Sequence, residues 1–296
     1  MEEWSGVDFY VLPEGCISRI LSLTSPRDAC RSSVVSSVFR WAAESDIVWE
    51  KFLPSDYREV ISRSVSPSPL LLSSKKELYF RLCNTRVFID DGNKSFALEK
   101  WSGKKCYMLG ARELTIVLAD TPRNWKWRSL PESRFSEVAE LVSVSSLEIQ
   151  GKMETSMLSP KTTYAAYFVF KFGERGAFGL EFHPAEVSVR FVRGCEDEAE
   201  SRDVYLDPVG GQRRQRRAGI FGSSLSNMLR LPATTSRRQE LRTERGDGWM
   251  ETEMGEFFND RGEDGEVEMS LTEVKGGNWK AGLIVEGIEL RPKESK

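Results

Sequence analysis

Apolar positions along this chain follow two periods, helical near the N-terminus and twofold from Val87 onward. After Leu12-Pro13-Glu14, the residues Cys16, Ile17, Ile20 and Leu21 recur at helical spacing; Pro13 suits a first helical position and Glu14 faces the positive end of the helix dipole. A second helix is predicted from Pro26, with Ser25 as its cap and Asp28 as the acidic member of a capping box. Its apolar positions Ala29, Cys30, Val34, Val35 and Val38 run on into Phe39, Trp41 and Ala42. Asp46 is the cap candidate for a third helix carrying Ile47, Val48, Trp49 and Phe52, which Pro54 closes. A domain of about 45 residues is marginal on its own, so part of the apolar surface of these helices needs cover from elsewhere.

Residues 55–85 are expected to form a serine- and proline-bearing linker that ends in a short helix, capped by Ser74 and packing through Leu78 and Leu82 at i, i+4. Twofold alternation then takes over. Leu114, Ile116 and Leu118 alternate with Thr115, Val117 and Ala119 until Asp120-Thr121-Pro122 breaks the strand ahead of Trp125 and Trp127. Further strands are predicted at 142–149, 164–172, 187–192, 248–254, 267–274 and 283–290, with a turn at 262–265. The strand at 164–172 is apolar on both faces and therefore belongs in the middle of a covered sheet. The glycine-rich spacers lack room for helical crossovers, which favours two packed antiparallel sheets. The expected fold is α+β multidomain: all-α helices over 1–54, the linker over 55–85, and a β-sandwich over 86–296. An insertion at 194–246 lacks apolar periodicity and is expected to be mobile.

Composition narrows the chemistry. A net charge of −3 over 296 residues offers no global attraction to nucleic acid or to an anionic membrane. The local exception is Arg213, Arg214, Arg216 and Arg217 with Arg237, Arg238, Arg242 and Arg245, which lack the interleaved aromatics of a nucleic-acid surface and read as a solvated loop. The acidic N-terminus lacks a secretory pattern and no window resembles a membrane span, so the cytosol or nucleus is the expected location. Five scattered cysteines without a Cys-x-x-Cys pair argue for reduced thiols, and the single histidine, His183, cannot build a zinc site or a nucleophile system. Phosphate-binding glycine loops are missing, so no cofactor is expected. Glu251 and Glu253 stand about 7 Å apart on one strand face, near the spacing of inverting glycosidases, but acidic alternation of this kind marks a solvent face.

The order Leu12-Pro13-Glu14, Ile20-Leu21-Ser22-Leu23, Ser25-Pro26-Arg27-Asp28 and Trp49 resembles the F-box, by which substrate receptors attach to the Skp-type adaptor of a cullin-RING ubiquitin ligase. The resemblance implies that Leu12, Pro13, Ile17, Ile20, Leu21, Pro26, Val34 and Trp49 form the adaptor-facing surface or the helices that present it.

A second resemblance covers the β region. Asp91-Gly92-Asn93-Lys94, Lys100-Trp101-Ser102-Gly103, Trp125-Lys126-Trp127-Arg128, Leu147-Glu148-Ile149-Gln150, Asp247-Gly248-Trp249-Met250 and Lys280-Ala281-Gly282-Leu283 look like the phloem protein 2, or Nictaba-related, plant lectins. Together the two stretches resemble the F-box group of that family. This implies a jelly-roll-like, lectin-type sandwich that binds N-acetylglucosamine-containing glycans through tryptophans near its first strand-to-loop turn. Trp125 matches the later aromatic position; Leu118 stands where a tryptophan is usual; Trp127 is a further candidate or, on the opposite face, a core residue. The implied role is a non-catalytic substrate receptor of a ubiquitin ligase with a protein or glycoprotein target; the competing class is a free-standing lectin.

Overall fold

The computed structural model describes residues 12–66, 74–192, 201–207, 243–262, 265–275 and 277–293. They belong to two compact units, residues 1–107 and 108–296.

Among its described residues the first unit begins with six helices: α1 (Glu14–Leu21), α2 (Pro26–Ser32), α3 (Ser37–Glu44), α4 (Asp46–Phe52), α5 (Tyr57–Ser62) and α6 (Lys75–Asn84). The Ser25 hydroxyl accepts the Asp28 N–H at 3.1 Å and donates to the Asp28 carboxylate at 2.8 Å, which starts α2 where the sequence places it. That helix does not continue to Ala42 as expected. Ser33 turns its hydroxyl onto the Cys30 carbonyl at 2.7 Å, and the Ser36 hydroxyl accepts the Phe39 N–H at 3.3 Å to open a separate α3. The serines flanking Val34-Val35 thus break one amphipathic run into two helices.

Two further expectations need correction. Asp46 does not cap α4; its carboxylate accepts the backbone N–H of Lys75 at 2.8 Å, holding the start of α6. The expected linker contains α5, which buries Tyr57, Val60 and Ile61. Ser74 does cap α6, accepting the Glu77 N–H at 3.2 Å, and Leu78 and Leu82 are buried as their spacing requires. Trp49 is the centre of this core: it is 0% exposed, its indole N–H donates to the Ala43 carbonyl at 2.6 Å, and Tyr79 and Phe80 of α6 lie with ring centroids 5.1 Å away. Helix α6 supplies cover that three helices alone could not. The unit closes with an antiparallel hairpin, β1 (Val87–Ile89) and β2 (Lys94–Leu98). Gly103, at φ 71°, follows it; a Cβ there would stand 2.8 Å from the Phe52 carbonyl oxygen.

Strand β3 (Lys105–Gly110) runs across the division. The second unit then holds β4 (Thr115–Ile116), β5 (Trp125–Arg128), β6 (Val138–Leu141), β7 (Leu147–Glu154), β8 (Thr162–Phe172), β9 (Ala185–Val192), β10 (Ser201–Val204), β11 (Thr243–Glu244), β12 (Met250–Asn259), β13 (Glu266–Glu273) and β14 (Leu283–Pro292). One sheet carries the order β14-β8-β12-β11, with β6 paired to β14 and β5 to β6; the other is β10-β9-β13-β7-β4. The pairings within this unit are antiparallel. Phe191 and Phe257 meet edge to face across the sheets at 5.7 Å, so the expected sandwich is present. Tyr164, Ala165, Ala166, Phe168, Val169 and Phe170 are all buried, as a central strand covered on both faces demands. Gly287 sits at a bulge in β14, where a Cβ would come 2.0 Å from the Leu109 carbonyl oxygen.

Several strand bounds differ from expectation. The predicted strand at 114–119 shrinks to β4, because Leu118 adopts a left-handed φ of 64° and turns the chain. The one predicted at 142–149 begins in the break after β6 and covers only the start of β7, and the one at 248–254 begins later and runs to Asn259. Much of the insertion at 194–246, including the arginines 213–217, lies outside the described residues. Its described parts include two strands: β10 pairs with β9 and β11 with β12.

Candidate functional site

The residues expected to serve an adaptor divide by burial. Ile17, Leu21, Pro26 and Trp49 are interior and hold α1, α2 and α4 in place, whereas Pro13, Ile20 and Val34 are exposed and Leu12 is half-buried. Val34 is 79% exposed. Leu23, Val35, Trp41 and Ile47 are exposed as well; Val35 and Trp41 lie in the run that the apolar spacing joins into one amphipathic helix and the structure divides. Large apolar side chains facing water on and between helices that already have a packed core are the mark of an interaction surface.

In the second unit two of the expected glycan residues, Trp125 and Trp127, line a concavity of about 560 Å³. Its wall uses Trp125, Lys126, Trp127 and Arg128 of β5, Ala119, Asp120 and Pro122 of the preceding loop, Arg112 from a 3-10 turn, and Glu140 of β6. Trp125 is 2% exposed and its indole N–H donates to the Val117 carbonyl at 3.1 Å, so the open stacking face expected of it is absent. The expectation that Trp127 would point to the opposite face is also corrected: residues i and i+2 of a strand share a face, and Trp127 is the half-buried one of the pair. The Arg112 guanidinium lies 3.6 Å from the Trp127 ring centroid and is held there by Glu137 at 2.7 Å. Leu118 is 51% exposed and is not part of the wall.

The phloem protein 2 family model matches residues 104–292. The chain belongs to the phloem protein 2 family. Its relatives carry the helical half too. An Arabidopsis thaliana protein named F-box protein PP2-B15 is 46% identical over 289 residues, covering 97% of this chain and 98% of that one. F-box protein VBF of the same plant is 44% identical over 286 residues, covering 96% and 99%. The chain is thus an F-box member of the phloem protein 2 family along nearly its whole length.

The β-unit of this chain also contains an ionic layer that the sequence did not disclose. Glu289 of β14 accepts from Arg134 at 3.0 Å and from Arg245 at 2.6 Å; Arg245 and Arg291 also hold Glu251, at 2.8 and 2.6 Å. Burial pushes the Glu289 carboxyl up, but Arg134 and Arg245 outweigh it and hold the pKa at about 2. Glu286 is equally buried but less well served, and burial pushes its pKa up despite Arg134. Glu251 and Glu253 therefore form ion pairs with Arg245, Arg291 and Lys293. This is the layer that covers the second face of β8, where Glu289 lies opposite Tyr167. Among the described residues no cluster of three or more His, Cys, Asp or Glu is placed to hold a metal, and no helix is long and apolar enough to cross a membrane.

Proposed function

We propose that this chain is the substrate-recognition subunit of a Skp-cullin-F-box ubiquitin ligase, in which α1 to α4 take the adaptor and the β-unit selects the target. The supporting observation is the set of exposed apolar side chains, Ile20, Trp41 and Ile47 on the helices and Leu23, Val34 and Val35 in the turns between them, in a bundle whose other apolar faces are spent on its core. Such a subunit acts by proximity: it raises the effective concentration of an acceptor lysine near the charged conjugating enzyme and performs no bond chemistry itself. Capture of a purified Skp-type adaptor by the full chain tests this. Val34→Asp with Ile20→Glu should abolish capture while leaving the thermal transition in place, because both side chains face water. Ile17 is unsuitable for this purpose, since a charge at a buried position would unfold the helices.

A second reading, recognition of N-acetylglucosamine-containing glycans by the β-unit, is supported by the half-buried Trp127 in the wall of the concavity. With Trp125 interior, Trp127 would have to supply the apolar plane. Binding of chitooligosaccharide that is lost in Trp127→Ala would support it, and a blank array for both wild type and Leu118→Trp would refute it. Adaptor capture failing while glycan binding persists would favour a free-standing lectin.

A further inference from the structure

We infer that the free edge of β5 is a docking strand for an extended peptide of the target, one that alternates apolar and acidic side chains. This rests on the reading of the β-unit as the target-selecting part and names what it would select.

Among the described residues β5 pairs only with β6, in the register Trp125↔Leu141, Lys126↔Glu140, Trp127↔Ala139 and Arg128↔Val138. The Asn124 carbonyl accepts the Val142 N–H at 2.9 Å, which makes 124 and 142 a hydrogen-bonded pair. Antiparallel pairs alternate, so Lys126 and Arg128 exchange bonds with β6, whereas the backbone groups of Trp125 and Trp127 point away from it. The Trp125 N–H is taken by the Thr121 carbonyl at 3.0 Å. The N–H and C=O of Trp127 are left at the open edge.

The concavity lies along that edge. Successive side chains of a strand point to opposite faces, so a single hollow touched by all four consecutive residues Trp125, Lys126, Trp127 and Arg128 borders the strand's side rather than one face. An extended backbone is the ligand that uses such a border, because it can return both hydrogen bonds to Trp127. The Trp127 indole N–H, beside that border, is buried and has no acceptor among the described residues.

The two faces set the side-chain pattern. Half-buried Trp127 lines one, beside the interior Trp125, which suits apolar residues of the peptide. On the other, Arg128 is paired with Glu140 at 3.0 Å, Asp120 stands at the loop end of the hollow, and exposed Lys126 has no ion pair among the described residues. Acidic residues at alternate positions of the peptide match it.

The probe is a fluorescein-labelled octapeptide of alternating valine and glutamate, titrated into the full chain by anisotropy up to 1 mM. Two versions carry N-methyl groups on alternate residues, one on the odd set and one on the even set. A strand addition predicts saturable binding, a loss of about tenfold or more for one N-methyl set, and near-full retention for the other. Lys126→Glu, at an exposed position, should weaken the glutamate peptide about tenfold and favour its lysine counterpart. No binding at 1 mM, equal loss for both N-methyl sets, or indifference to Lys126→Glu would each overturn the proposal. Displacement of the peptide by chitotriose would place the glycan in the same hollow, whereas chitotriose binding with no peptide binding would assign the hollow to sugar and overturn the peptide reading. Adaptor capture depends on the helices, so its failure is read separately.

Discussion

Replacing Trp125 with alanine should destabilise the β-unit strongly. The indole is almost wholly interior, so truncation removes the transfer free energy of a large aromatic and leaves a cavity under β5. It also removes the 3.1 Å bond to the Val117 carbonyl, which anchors the turn that carries Leu118. Tryptophan-to-alanine changes in cores cost about 3–5 kcal/mol, and for a unit of this size each kcal/mol lowers the midpoint by about 2–4 °C. The expected loss is therefore on the order of 10 °C in the β transition of the full chain, read by calorimetry, with Trp125→Phe recovering about half. Should Trp125→Ala shift that transition by less than about 2 °C, the residue is not a core anchor, and the reassignment of the stacking role to Trp127 fails with it.

The ionic layer gives two pH predictions of opposite sign. Glu289 has a folded pKa of about 2, below its unfolded value, so its contribution of about 3 kcal/mol is complete above about pH 5 and is lost as the pH falls toward 2. Denaturant melts of Glu289→Gln between pH 2 and 7 should show a flatter acid limb and lower stability at pH 7. Glu286 is raised, so its contribution is present below the unfolded pKa and disappears as the pH rises through the folded one; Glu286→Gln should be no less stable than the parent at pH 8. Leu118→Gly should raise stability by up to about 1 kcal/mol, since glycine accepts the left-handed φ of 64° that leucine does not favour. Ser25→Ala should cost about 1 kcal/mol in the helical transition through loss of the α2 cap.

The elements most legible in the sequence were those fixed by local chemistry. Ser25-Pro26 and Ser74 announced α2 and α6 because a hydroxyl cap needs only the next three residues. The doubly apolar run at 164–172 declared the central strand for the same reason of pattern. What stayed hidden depended on partners distant in sequence. Nothing near Asp46 says that its carboxylate is claimed by Lys75, and the Arg134, Arg245, Glu289 layer joins three separate segments of the β-unit. The helical break at Ser33–Ser36 was readable from the serine cluster around Val34 but was outweighed by the apolar spacing on either side. The hollow beside β5 was half visible: Trp125 and Trp127 drew attention, but which of them is buried was decided by the fold of the 117–124 turn.

The most direct test of the central claim is native mass spectrometry of the full chain mixed with a Skp-type adaptor and a cullin-RING module. A substrate receptor predicts a species containing one copy of each, which forms only when the adaptor is present and disappears for the Val34→Asp, Ile20→Glu double variant at unchanged thermal stability. A chain that stays free in that mixture, or a double variant that assembles as well as the parent, would contradict the account.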